Sequence, residues 1–119
     1  MPVAPDIDAL RTALATLFIK NLDGNYAKLE YRCNIKRDTF QRHLKYRNGR
    51  DITYISLSKF CVGAGVSIEE AKELFLYTGY ALSSQNMCDY ILLCTLQNSD
   101  AIDEYAEVMK ENARVDVLT

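Results

Sequence analysis

The chain of 119 residues has no tryptophan, one histidine, two prolines and five glycines. So little Gly and Pro argues against a low-complexity chain, and a hydrophobic content of 49% is more than a disordered one carries. No apolar run approaches the roughly 18 to 20 residues that cross a bilayer, the longest being stretches such as Ala13 to Ile19 and Tyr90 to Cys94. The first six residues lack the basic segment that opens a secretory signal, and Lys20 interrupts the apolar stretch that follows. These absences predict a cytoplasmic protein without membrane contact.

Four cysteines, Cys33, Cys61, Cys88 and Cys94, form no C-x-x-C pair, and His43 is near none of them in sequence. A zinc cage needs closely spaced pairs, so no metal is expected, and the thiols read as reduced core groups. No Ser, Cys or carboxylate stands at a catalytic spacing from His43, which reads as structural or solvent-facing. Gly63-Ala64-Gly65 holds two glycines of a dinucleotide fingerprint but no strand precedes it, so it reads as a helix end. Glu69, Glu70 and Glu73 suit a helix N-terminus. Neither enzymatic activity, nor a cofactor, nor a small-molecule substrate is expected.

What the sequence does contain is helical periodicity. Ile7 to Leu22 spaces Leu10, Leu14, Leu17 and Phe18 on one face after an Asp6 cap. Asp23-Gly24-Asn25 is a turn, with Asn25 capping a short second helix, Tyr26 to Cys33, and Asn34 ending it in the left-handed conformation. A third helix, about Lys36 to Tyr46, buries Phe40 and Leu44. A fourth is expected over Ile52 to Ala64, closed by Gly65. Ser67-x-x-Glu70 is a capping box that starts a fifth at Ile68, running to Thr78. Ser83 or Ser84 is expected to cap a sixth over Gln85 to Gln97, whose apolar look predicts the most buried element. Asp100-x-x-Asp103 opens a seventh. The expectation is one all-α domain over 1–119, with about five helices followed by a C-terminal helical extension of two, near 83–112.

A net charge of minus 2 conceals an asymmetry. Residues 28–50 carry eight bases against two acids, plus 6; residues 1–27 carry minus 1 and residues 51–119 minus 7. A cationic stretch inside a weakly acidic chain builds a local field where a polyanion would bind; its alternative is a solvated face or one paired with the acidic half. The same stretch reads as two short helices joined by a tight turn, the second carrying the positive charge. Leu29, Cys33, Ile35, Phe40 and Leu44 fall on its inner face, leaving Lys36, Arg37, Gln41, Arg42 and Lys45 outside. Arg and Lys can donate to guanine O6 and N7, and Gln can bridge adenine N6 and N7. Most of the eight tyrosines, Tyr77, Tyr90 and Tyr105 among them, fall at core spacing; Tyr31 and Tyr46, among the bases, are the two candidates for stacking on nucleic acid.

From Leu29 through Leu44, on through Asn48-Gly49-Arg50, and again in Ala64-Gly65-Val66-Ser67-Ile68-Glu69-Glu70-Ala71, the sequence resembles the lambda-repressor-like, XRE-type helix-turn-helix regulators of bacteria and phages. The segment Thr78 to Ser83 with Asp89-Tyr90-Ile91 is similar to a helical extension carried by a subset of them, so the resemblance covers roughly residues 25–110. It implies a lambda-repressor-like bundle with a helix-turn-helix unit at about 26–46 that binds double-stranded DNA as a homodimer, its third helix in the major groove. The base-reading positions would correspond to Lys36, Arg37, Asp38, Gln41 and Arg42. Phosphate contacts would correspond to Tyr26, Lys28, Arg47 and Arg50. Three departures stand out. Glu30 replaces a small residue between the two helices, where it must swing out or pair with Arg42 or Lys45. Asn34 replaces a turn glycine, and the Lys45-Tyr46-Arg47 link is long. They motivate a second expectation, a helical protein-protein interaction module whose helix-turn-helix no longer binds DNA. An RNA-binding module is a third.

Overall fold

The computed structural model describes residues 4–45 and 52–118, and within them the chain is all-helical. The helices are α1 (Ile7–Leu22), α2 (Tyr26–Cys33), α3 (Arg37–Lys45), α4 (Tyr54–Ala64), α5 (Ile68–Tyr77), α6 (Met87–Asn98) and α7 (Ile102–Val108), the last running on through a π-helical turn at Met109–Ala113. Among the described residues there is no strand, and no helix is long and apolar enough to cross a membrane.

Most helix boundaries are set by the residues that cap them. Asp6 accepts from the Ala9 amide, Asn25 from those of Ala27 and Lys28, and Thr53 from that of Ser56, each satisfying a first-turn N–H that has no partner within its helix. The Ser67 and Glu70 side chains each accept from the other's backbone amide, completing the expected capping box, with Val66 buried before it. Asn34 and Gly65 close α2 and α4 at φ 55° and 63°. Helix α4 starts at Tyr54, two residues after the expected Ile52, and two further starts differ from expectation. Asn86, not a serine, caps α6 through the Asp89 amide; Ser83 instead accepts from Gln85. Helix α7 begins at Ile102, where Glu104 accepts from the Ala101 amide, because a carboxylate at the third helical position reaches back to an uncapped start.

The core is one cluster to which every helix contributes, from Leu10, Leu14 and Leu22 of α1 to Tyr105 of α7 and Val117 of the C-terminal tail. Helix α4 lies at its centre: every residue from Leu57 to Val62 is buried, including Ser58 and Lys59, and α4 packs against α1, α2, α6 and α7. This corrects the expectation for α6. Ile91, Leu92 and Thr95 of α6 face inward, but Met87 and Tyr90 are 55% and 52% exposed. Apolar residues on both sides of a helix bury only the side that other elements cover, and α6 has neighbours on one side only.

The tightest approach is between α2 and α4. A Cβ added at Gly63 would lie 2.3 Å from the Arg32 carbonyl oxygen and 2.4 Å from Cys33 Sγ. Gly63 is therefore a packing residue, and Gly65 alone is the helix end. Burial pushes the Cys33 thiol up to about 12 and raises Cys61 as well, consistent with thiols used as small apolar groups.

A second tie fixes the C-terminal helices. Asp89, fully buried, accepts from Tyr54 Oη at 2.5 Å, Tyr80 Oη at 2.9 Å and the Ser83 amide at 3.0 Å. Burial, and then the bond to this carboxylate, drives the Tyr54 phenol well above its usual range. Three donors satisfy the carboxylate and join the start of α4, the α5–α6 link and α6.

Two substitutions test these constraints by chemical denaturation. Gly63→Ala must force backbone apart and should cost at least about 2 kcal/mol, far more than the gain Ala normally brings to a helix. Asp89→Ala removes the buried acceptor shared by Tyr54, Tyr80 and the Ser83 amide and should cost about 2 kcal/mol; a loss under 1 kcal/mol in either variant would contradict the packing described.

Candidate nucleic-acid interface

Helices α2 and α3 are joined by three residues, Asn34, Ile35 and Lys36. Asn34 turns the chain through the left-handed region, Ile35 drops into the core at 2% exposure, and Lys36 emerges to solvent. Lys59, from the centre of α4, donates from Nζ to the Asn34 carbonyl oxygen at 3.0 Å. Its burial lowers the lysine below its ordinary range, and its hydrogen bond ties the turn to the core helix. The sequence reading gave Lys59 no role; a lysine between Leu57 and Phe60 was the available signal, since no solvent-facing position falls inside that buried run.

Helix α3 is divided cleanly into two faces. Phe40 and His43 are buried; the Phe40 ring lies parallel to that of Phe60 at 5.6 Å and tilted on Phe18 at 5.0 Å. His43, expected to be structural or solvent-facing, is buried, and its Nε2 shares a hydrogen bond with Ser56 Oγ at 3.0 Å. Leu44, expected in the core, is only half-buried at its margin. On the other face Arg37, Asp38, Arg42 and Lys45 are exposed and Gln41 is half-exposed, recurring at helical spacing over the length of α3. Among the described residues no carboxylate pairs with Lys36, Arg37 or Lys45. Arg42 approaches Thr39 Oγ1 at 3.5 Å. Glu30 is exposed, having swung out of the α2–α3 contact.

The flanking residues are arranged differently from one another. The Arg37 guanidinium sits over the Tyr26 ring, 4.6 Å from its centroid, and Tyr26 in turn packs on Phe18 at 5.0 Å. This cation–π contact holds Arg37 at the start of α3. Lys28 pairs with Asp23, whose carboxyl it holds below its ordinary range, so the charge of Lys28 is partly neutralised. Arg47, Arg50, Tyr46 and the Asn48-Gly49 pair lie outside the described residues. Tyr31 is 85% exposed and borders a cleft lined also by Arg32, Asp100 and Asp103. Tyr90, expected at a core position, is exposed, whereas Tyr105 is fully buried.

Elsewhere a cleft of about 600 Å³ between α1 and α5 is lined by Asp6, Asp8, Glu70, Glu73 and Tyr77 among others. Its acids have local duties: Asp6 and Glu70 cap helices, Glu73 accepts from Tyr77 Oη, and Asp8 faces Arg11 at 3.8 Å. Among the described residues, no cluster of His, Cys, Asp or Glu is arranged to hold a metal ion.

The αL position at Asn34 gives a direct test of the turn. Asn34→Gly should leave thermal stability unchanged or slightly raised, while Asn34→Ala, with a Cβ at φ 55°, should cost about 1 kcal/mol. Equal stability of the two variants would contradict the left-handed turn. Comparison with known proteins identifies no relative: no protein-family profile, curated protein or solved structure matches the chain.

Proposed function

We propose that the chain binds double-stranded DNA, inserting α3 into the major groove in the manner of a lambda-repressor-like, XRE-type regulator. The observation that carries this reading is the two-faced character of α3. Phe40 and His43 anchor one side, and Lys36, Arg37, Gln41, Arg42 and Lys45 present donors along the other. A nine-residue helix is about 13 Å long, matching a major groove about 12 Å wide.

Within the proposal the residues divide by chemistry. Gln41 and Arg42, at the middle of α3, are the side chains aimed at base edges. Lys36, Arg37 and Lys45, at its two ends, meet the phosphates on either side, with Arg47 and Arg50 of the following segment extending that set. Arg37 leaves the Tyr26 ring or carries it along, so Tyr26 serves as a positioning residue. Asp38 repels phosphate and favours a cytosine N4 amino group or a neighbouring arginine. One such helix reads few base pairs, and useful specificity calls for two copies on a palindromic site with half-sites about 34 Å apart.

The reading is tested by fluorescence anisotropy with a randomised duplex pool, followed by selection of the retained sequences. Binding should fall by about a thousandfold between 50 and 200 mM salt if roughly six phosphates are neutralised. Arg37→Glu with Arg42→Glu should abolish binding without altering the helical circular dichroism. Binding that ignores this double variant, or no binding at low salt, would sink the proposal. The competing protein-interaction module requires an apolar contact indifferent to salt, and preference for an RNA competitor over duplex DNA would point to the third reading.

A further inference from the structure

The charges of this chain are absent from one long region. From Leu74 to Ser99 the only ionisable acid or base of the Asp, Glu, Lys and Arg type is Asp89, and Asp89 is fully buried. A quarter of the whole chain is charged, so the 26 residues of this region would ordinarily carry six or seven such groups. The region contains α6 and the link before it, and its outward surface is therefore free of charge.

That surface is also apolar. Met87, Tyr90 and Cys94 follow one another at helical spacing on the outer face of α6, with Leu93 beside them and Tyr80 of the preceding link held close by its bond to Asp89. Met87 is 55%, Tyr90 52% and Tyr80 38% exposed, and Leu93 and Cys94 are half-buried. Their exposed parts amount to roughly 400 Å², the size at which an apolar patch on a monomer signals an interaction site.

We propose that this face of α6 is where two copies of the chain associate about a two-fold axis. The first argument is electrostatic. In an isologous contact each residue near the axis meets its own copy, so any charge there faces an identical charge; a different partner could answer a charge with its opposite and gives no reason to exclude both signs. The neighbouring α7 shows the contrast, because Asp103, Glu104 and Glu107 would be set against one another in a pairing through that helix. The second argument is area. A standard interface takes about 800 Å² from each partner, a little over half of it apolar. The apolar patch supplies about that apolar share, and the exposed, uncharged Ser84, Gln85, Asn86 and Gln97 border it as a polar rim.

The fold suits this use of the surface. Helix α6 packs on α4, α5 and α7 with its inward face, and α3 packs on α1, α2 and α4 with Phe40 and His43, so self-association through the outer face of α6 does not use the exposed bases of α3. The inference deepens the DNA-binding proposal by supplying its second copy. It rests on that proposal for its purpose and not for its contacts.

The test is sedimentation equilibrium of the full chain without DNA, over the micromolar range. The wild-type chain should show a reversible monomer–dimer equilibrium. Tyr90→Glu should weaken it about tenfold or more, as loss of an interface tyrosine and self-opposed carboxylates require. Met87→Glu should act in the same direction. Both positions are exposed, so circular dichroism and melting temperature should match the wild type; should one variant unfold, the other carries the measurement. Arg37→Glu with Arg42→Glu should leave the dimer intact. A dimer in that variant together with absent DNA binding would agree with both readings, whereas a wild-type chain that dimerises through α6 but binds no duplex would support the α6 interface while defeating the DNA reading. A wild-type chain that stays monomeric, a dimer untouched by both α6 variants, or a face occupied instead by a different protein would overturn the inference.

Discussion

The contact between α2 and α4 across Gly63 is the constraint from which the arrangement of the cationic surface follows. With no side chain at Gly63, the Arg32 carbonyl and the Cys33 thiol come down on the α4 backbone. Cys33 Sγ donates to the Phe60 carbonyl at 3.9 Å, and one residue later Lys59 holds the Asn34 carbonyl. The end of α2 is thus seated before the chain turns. From a seated end, a left-handed residue and a buried Ile35 leave α3 little freedom of direction, and Phe40 and His43 complete the fixing. A surface able to enter a groove needs such rigidity, because ordering a mobile helix on binding would consume much of the interaction free energy.

Much of this was legible in the sequence because it depends on local chemistry. Asn25, Asn34, Gly65 and the Ser67–Glu70 pair act within a few residues of themselves, and α1, α2 and α5 accordingly lie where periodicity and caps put them. The outer face of α3 was legible for the same reason: a short helix with Phe40 inward has only one place for Arg37, Gln41 and Arg42. What escaped reading depends on partners distant in sequence. Gly63 resembles a helix terminator until Arg32 is known to lie on it. Lys59 resembles a surface lysine until the Asn34 carbonyl, 25 residues earlier, is brought to its ammonium group. Asp89 needed Tyr54 and Tyr80 as donors before its burial made sense.

The error over α6 has a more general cause. Hydrophobicity reports what a residue gains by leaving water, not which element will cover it. An apolar stripe on both sides of α6 looked like central burial, yet a bundle of this size has only one centre and α4 occupies it. The leftover stripe is informative because it costs solubility. A chain that carries 30 charged residues could have placed several there without disturbing the inward face of Ile91, Leu92 and Thr95.

Charge is therefore partitioned along this chain in three zones, and the first and last meet where Arg32 shares a cleft with Asp100 and Asp103. The bases are concentrated on α2, α3 and the segment after them. Among the described residues, helix α4 packs against α2 on one side of the core and α6 and α7 on the other. A polyanion approaching such a body meets attraction on one side and repulsion on another, so the field orients the encounter before any contact forms. The neutral zone on α6 allows a second body to join without either field opposing it. In the proposed dimer two cationic faces would act on the same polyanion, and the gain from linking them would follow from the geometry set at Gly63 and at the α6 face.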